Sequence, residues 1–278
     1  MFNAIAMKEK IDILGAAFLW GTMGIVVDLL YPLGGNPFSM VLFRSIFGLI
    51  FLLFYRDFKG LINFKLLIIG VLNGIFIEIF VVSITIAGAP FMAVMLYTSI
   101  LFVIIFSFLF IKEKITKMKI ISAFLIIFGL YLTYLGTVNF YFVILGLLSG
   151  LTYGLLISFS KKLQFSGIDN NMIIAAEVVW SIPLIFLVSF FVDVNYNVYS
   201  ISGGLYLAIF AEIVPYYLFY RGMKKLDSSL SMMISSMEPV FTIILAFFII
   251  HETLTEFQFI GAIIIIISIT ISNIKIKK

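Results

Sequence analysis

The chain has no cysteine and a single histidine, His251, in 278 residues. Without cysteine there are no disulfides and no thiolate metal sites, although this says nothing of compartment. The chain also lacks His-Glu-x-x-His, Gly-x-Ser-x-Gly and Gly-x-x-x-x-Gly-Lys-[Ser/Thr]. These absences argue against a zinc-hydrolase helix, a nucleophile elbow and a phosphate-binding loop. The expectation is a protein that is not an enzyme and has no metal and no cofactor. Charge is scarce too, at 12% of residues. Soluble domains carry about a quarter.

Apolar runs are abundant. The chain is 63% hydrophobic, with a mean hydropathy of +1.22. A helix needs ~20 apolar residues to cross ~30 Å of hydrocarbon. Ten such runs fall at about 12–31, 37–55, 66–86, 91–111, 118–136, 140–160, 172–192, 203–220, 230–250 and 257–274. The first is longer than a secretory signal core, contains Asp12 and Asp28, and lacks an Ala-x-Ala site, so it reads as a membrane helix. A β-barrel would show alternating polarity over ~10-residue strands, which these runs do not. The expected fold is all-α and integral to the membrane, with ten transmembrane helices.

Seventeen of the 18 Lys and Arg residues occupy every second gap between these runs. They are Lys8 and Lys10; Arg56, Lys59 and Lys65; Lys112, Lys114, Lys117 and Lys119; Lys161 and Lys162; Arg221, Lys224 and Lys225; and Lys275, Lys277 and Lys278. The gaps near 32–36, 87–90, 136–139, 193–202 and 251–255 contain none. Basic loops stay cytoplasmic. The pattern predicts a multi-pass protein of the cell membrane with both termini in the cytoplasm. The net charge of +4 resides in these loops and does not indicate a nucleic-acid partner.

Residues 102–116, FVIIFSFLFIKEKIT, match residues 241–255, FTIILAFFIIHETLT, at a shift of 139. Phe102 pairs with Phe241, Glu113 with Glu252 and Thr116 with Thr255. Ile13-Leu14-Gly15 likewise resembles Ile144-Leu145-Gly146, and Trp20-Gly21 resembles Tyr153-Gly154. The division is 1–137 and 138–278, two repeats of five helices within one membrane domain. Five is odd, so the second copy is inverted. The loop after Glu113 is basic, whereas the loop after Glu252 has no Lys or Arg. Inverted repeats build secondary transporters with a site near the midplane.

The stretch from Tyr217 to Leu226, then Ser228 to Ser236, Glu238-Pro239-Val240 and His251-Glu252-Thr253-Leu254-Thr255 resembles the eighth and ninth helices of EamA-type proteins. These belong to the drug/metabolite transporter superfamily, and the resemblance covers the whole length. It implies transport of small molecules, often export of amino acids or other metabolites. Where helix four of such proteins often carries a proline, this chain has Ser99-Ile100.

Ionisable groups inside the hydrocarbon cost at least ~2.5–3.5 kcal/mol each at a helix centre and so mark candidate sites. The chain places Arg44, Glu78, Glu177, Glu212 and Glu238 inside its apolar runs. Glu78, Glu212 and Glu238 lie nearest the middle. Ser231, Ser235, Glu238 and Thr242 form one polar stripe, and Pro239 removes the backbone donor that the Ser235 carbonyl would use. Pro215 and Tyr216 follow Glu212 on its own face. Gly74 lies one turn before Glu78. Arg44 cannot deprotonate; it either anchors the bundle or contacts substrate. Trp20, Tyr97, Tyr153 and Ser99 complete the candidate substrate- and proton-binding residues, with Glu238, Glu212, Glu78, Tyr216, Ser235 and Arg44. His251 reads as interfacial.

The expected activity is secondary transport by alternating access, with protons exchanged at a buried carboxyl. The alternative is a channel or lipid translocator on the same fold. The partners are a small-molecule substrate, the bilayer and protons, and both monomer and homodimer remain open.

Overall fold

Backbone N–H and C=O groups in lipid must bond within their own segment, which restricts a spanning chain of this composition to helix. A computed structural model describes residues 4–53, 55, 58–87, 92, 95–134, 139–249, 251 and 255–272. Among them all regular structure is helical. Arg56, Glu252, Thr253, Leu254, Lys275, Lys277 and Lys278 fall outside the described residues, as do residues 88–90 and 136–138 of two lysine-free gaps.

The helices are α1 (Ala4–Leu30), α2 (Pro37–Gly48, continued as a 3-10 turn over Leu49–Leu53), α3 (Phe64–Ala87), α4 (Ser99–Ile111) and α5 (Lys117–Tyr134). There follow α6 (Phe140–Phe165), α7 (Asn170–Ser189), α8 (Val198–Met223), α9 (Ser228–Ile249) and α10 (Glu256–Ser272). Each of the ten apolar runs therefore contains a helix among its described residues. Among the described residues, five helices, α6 to α9 and the Met7–Leu30 part of α1, are long and apolar enough to cross a bilayer. Pro37–Leu53, Ser99–Ile111 and Glu256–Ser272 are shorter apolar helices.

The main contacts come in exchanging pairs. Helix α3 packs on α7 as α8 packs on α2; α4 packs on α6 as α9 packs on α1; and α3 meets α6 as α8 meets α1. Helices α5 and α10 pair with each other. Glycines allow these approaches, as small residues do between membrane helices. A Cβ on Gly154 would lie 2.6 Å from the Cβ of Phe102, and one on Gly21 would lie 3.1 Å from that of Phe241. Phe102 and Phe241 are 139 apart, and so are the non-glycine residues of positive φ among those described, Lys112 and His251, both at +57°. His251 thus stands where α9 ends, as Lys112 stands where α4 ends.

At the α5–α10 seam the backbones nearly touch. A Cβ on Gly261 would meet the Gly129 carbonyl at 2.4 Å. Gly261→Val should force these helices apart and destabilise the protein by ~1–3 kcal/mol, the usual cost of overpacking. Thermal unfolding in detergent should show a drop of several degrees. Gly15→Ala, whose Cβ meets only a Leu218 methyl at 3.4 Å, should unfold close to wild type.

Candidate functional site

Two prolines set the local backbone. Pro215 has no N–H for the carbonyl of Ala211 one turn earlier, and the helix widens to a π-helix over Leu207–Ile213. The indole Nε1 of Trp20 donates to the Ala211 oxygen at 3.0 Å. Pro239 leaves the Ser235 carbonyl in the same position. Here α9 breaks, with regular helix over Ser228–Ser235 and again over Glu238–Ile249. The Tyr97 hydroxyl lies 2.7 Å from the Ser235 oxygen and 2.6 Å from Oε2 of Glu238. In both places an aromatic residue of the first half serves a carbonyl that a proline of the second half has freed.

Around these points lies a small, partly open cavity of about 40 Å³. Arg44 and Glu238 face it, with Trp20, Phe76, Tyr153 and Tyr216 as aromatic walls. Phe76 stacks on Tyr153 with centroids 4.5 Å apart, and Trp20 meets Tyr216 edge-on at 5.4 Å. A second space shares Met23, Arg44 and Ile77 with the first and reaches Asp28 and Pro37, beside the lysine-free 31–36 loop.

Arg44 is 3% exposed, and its Nη2 lies 3.0 Å from Oε1 of Glu212. Its Nη1 has no hydrogen-bond partner. The guanidinium also acts electrostatically on Glu78 and Glu177. Glu177 accepts a hydrogen bond from the Tyr220 hydroxyl, which in turn contacts Ser160 Oγ at 3.1 Å.

Of the candidates read from sequence, Glu238, Arg44, Trp20, Tyr153 and Tyr216 meet at the cavity wall. Tyr97 stands behind Glu238 and Glu212 behind Arg44. Glu78 is buried beside them, with Oε2 unpartnered. Ser235 turns its hydroxyl to the Met232 carbonyl and offers Tyr97 its own backbone oxygen. Ser99 is buried with an unpartnered hydroxyl, its backbone against Gly150 and Gly154 of α6. Phe76, Phe80 and Leu96 line the cavity without having been singled out, because nothing distinguishes them from lipid-facing apolar residues in the sequence. Among the described residues no group of three or more His, Asp or Glu side chains is placed to hold a metal ion.

At the basic end of the bundle, ion pairs join residues before 137 to residues after 138. Arg221 forms a two-pronged bond to Asp12 at 2.5 and 2.7 Å, and Lys225 pairs with Glu9 at 2.9 Å. The lysine and arginine here are exposed, and exposed pairs contribute only ~0–1 kcal/mol. Glu113 is different, because its partner Lys119 is buried with it, at 8% and 7% exposure. It accepts from the backbone N–H groups of Ser228 and Ser229, from both their hydroxyls and from Lys119. Lys119 continues to Asp227 at 2.7 Å. Asp227 holds the N-cap position of α9 without a capping side-chain bond, and Glu113 of the other half caps that helix instead. At the opposite end the 31–36 and 193–200 segments join through neutral groups, including Asn36 N–H to Ser200 and Asn197 to the Gly34 carbonyl.

Fold and site together define a multi-pass membrane protein whose helical bundle holds a mainly apolar cavity faced by Arg44 and Glu238. The chain belongs to the EamA-like transporter family, whose model matches residues 9–135 and again 140–274. A protein of Archaeoglobus fulgidus described as an uncharacterized transporter is 26% identical over 274 residues, covering 98% of both chains. A solved crystal structure superposes with a TM-score of 0.77 over 95% of this chain and 96% of its own. At 17% identity that likeness concerns the fold alone.

Burial pushes the Glu113 carboxyl up, but the Ser228 and Ser229 bonds and Lys119 more than offset this and hold it below the usual carboxylate range. A lowered folded-state pKa contributes stability above the unfolded value, ~4.3, and loses it as pH falls through the folded value. Glu113→Gln should therefore lower the melting temperature at neutral pH. That difference should stay level down to the ordinary carboxylate range and shrink below it, as read by thermal unfolding of both proteins across pH.

Proposed function

We propose that this chain is a secondary transporter that exports small metabolites such as amino acids by alternating access, coupled to protons. The observation that carries this reading is one cavity bounded by a guanidinium, Arg44, and a carboxyl, Glu238, with aromatic walls between them. An α-amino acid presents complementary groups, a carboxylate for the unpartnered Nη1 of Arg44 and an ammonium for Glu238. Arg is suited to the first contact because its planar fork matches a carboxylate. Trp20, Tyr153, Tyr216 and Phe76 give an apolar side chain a surface to pack on.

Alternating access needs two halves that part at one end while meeting at the other. The cavity extends toward the lysine-free end, while ion pairs join residues before 137 to residues after 138 at the basic end. The exchanging helix contacts fit two inverted units with the boundary near residue 137. On this reading the conformation at hand faces the lysine-free side, the cell exterior, and is closed to the cytoplasm. Ten crossings follow, with both termini cytoplasmic.

A thermal-shift screen of the twenty L-amino acids on purified protein tests the substrate class. A ligand at a hundred times its Kd stabilises by about 2.7 kcal/mol, enough for a clear rise in melting temperature. Glu238→Gln should cut counterflow of any amino acid so identified by about tenfold or more in proteoliposomes, and collapsing the pH gradient should slow its net transport. The amino-acid assignment falls if none of the twenty stabilises the protein. The coupling falls if net transport ignores the gradient.

A further inference from the structure

The Tyr97 hydroxyl has one hydrogen and two acceptors within reach, the Ser235 carbonyl at 2.7 Å and Glu238 Oε2 at 2.6 Å. Tyr97 and Ser235 are each 1% exposed, so water is a poor substitute for either bond. A tyrosine hydroxyl donates once and accepts as well, while a carboxyl donates only when protonated. From this count we propose that Tyr97 ties the protonation of Glu238 to the break in α9, so that proton release from Glu238 loosens the helix at Ser235–Pro239. The proposal rests on proton coupling at Glu238 and adds the means by which the proton reaches the backbone.

The two protonation states of Glu238 share their hydrogens differently. With Glu238 protonated, its O–H donates to the Tyr97 oxygen and the Tyr97 O–H donates to the Ser235 carbonyl. Two hydrogens serve two acceptors. When the proton passes from Glu238 to water or substrate in the cavity, the carboxylate draws the Tyr97 hydrogen to itself. The Ser235 carbonyl then has no donor, because Pro239 has removed the N–H that an unbroken helix would supply. A bare carbonyl in the bundle interior is unfavourable, and the cheapest relief is a change of backbone at a break that already exists. No bond other than O–H is made or broken, and one proton leaves.

Few other groups compete for this role. Tyr97, in the turn before α4, and Tyr153 from α6 are the titratable groups that bear on Glu238, and Arg44 of α2 lines the same cavity. The Trp20 indole of α1 is committed to Ala211. The loosened segment leads directly to Ser228 and Ser229, which Glu113 holds at the basic end. A shift at Ser235–Pro239 therefore acts on the helix whose first turn closes the cytoplasmic side.

The absence of native cysteine makes a substrate-free test simple. A nitroxide attached at Met237→Cys, beside the break, reports backbone mobility by electron paramagnetic resonance in reconstituted full-length protein. The mobile fraction should rise about fivefold or more between mildly acidic and mildly alkaline pH, the change that one lost buried hydrogen bond brings. Glu238→Gln, whose amide donates to Tyr97 as the acid does, should keep the acidic spectrum at every pH. Pro239→Ala returns an N–H to Ser235 and should also abolish the pH response, with a melting temperature at or above that of the parent. Tyr97→Phe, which leaves the Ser235 carbonyl without its donor at any pH, should hold the mobile spectrum throughout. A pH response that survives in Glu238→Gln or in Pro239→Ala overturns the proposal, as does a parent spectrum that ignores pH. Net transport that ignores a pH gradient, with the label still responding, would instead remove proton coupling as a function while leaving the Tyr97 linkage standing.

Discussion

A guanidinium cannot shed its charge, and Arg44 carries one into the interior of an apolar bundle at 3% exposure. An isolated charge there is prohibitive, whereas a charge with carboxyl partners is tolerable. Much of the centre follows from that requirement. Glu212 stands 3.0 Å from Nη2, and Glu78 and Glu177 lie within the field of the same group. Gly48 follows one turn after Arg44 on α2, and any Cβ there would lie 3.1 Å from Oε2 of Glu212. The ion pair thus also restricts which residues its neighbours can be. Because Nη1 stays unpartnered and Arg44 lines the cavity, the same charge that had to be neutralised is left with a donor to offer.

The second constraint is that lipid leaves no carbonyl to water. A proline in a spanning helix creates one orphan acceptor, and a neighbouring helix must supply the donor. Trp20 and Tyr97 do so for Ala211 and Ser235. Both donors are large rings with a polar edge, so each one that satisfies a carbonyl also brings an apolar face to the centre. The π-helix at Leu207–Ile213 and the break at residues 236–237 are therefore linked to the cavity wall through the same side chains. Removing either proline would release its aromatic partner.

Much of this was legible in the sequence, and the reason is the solvent. The apolar runs and the spacing of basic clusters respond to a bilayer of fixed thickness, which acts on every segment alike. Charged residues inside runs were equally visible, since lipid makes each one exceptional. Arg44, Glu238, Trp20, Tyr153 and Tyr216 do meet at one cavity. Partners were harder to read. Nothing in the residue pattern pairs Arg44 with Glu212, whose Oε1 lies 3.0 Å from Nη2 and which sits in the wider turn before Pro215. Ser235 read as a hydroxyl on a polar stripe, but it is the carbonyl that is used, and backbone atoms leave no trace in a residue pattern. The cap of Ser228 and Ser229 by Glu113 joins residues 115 and 116 apart, beyond any local signature.

The two ends of the bundle differ in how costly they are to separate. At the lysine-free end the described bonds are neutral and lie at loops, where water replaces them readily. At the basic end the pairs Asp12–Arg221 and Glu9–Lys225 each have an exposed basic partner, whereas Glu113 and Lys119 are both buried. Parting a buried pair costs ~3–5 kcal/mol if one charge is stranded, but less if both reach water. Lys119 and Glu113 sit at helix ends beside exposed Asp227, which places them close to the interface. A gap of a few kcal/mol is what a two-state element needs, since a ligand shifts an equilibrium only by its differential affinity. On the transport reading, a firmer latch would fix the closed state and a weaker one would leak. Placing one buried carboxylate over a helix N-terminus, with hydroxyls and a lysine that water can serve in its absence, puts the latch between these limits.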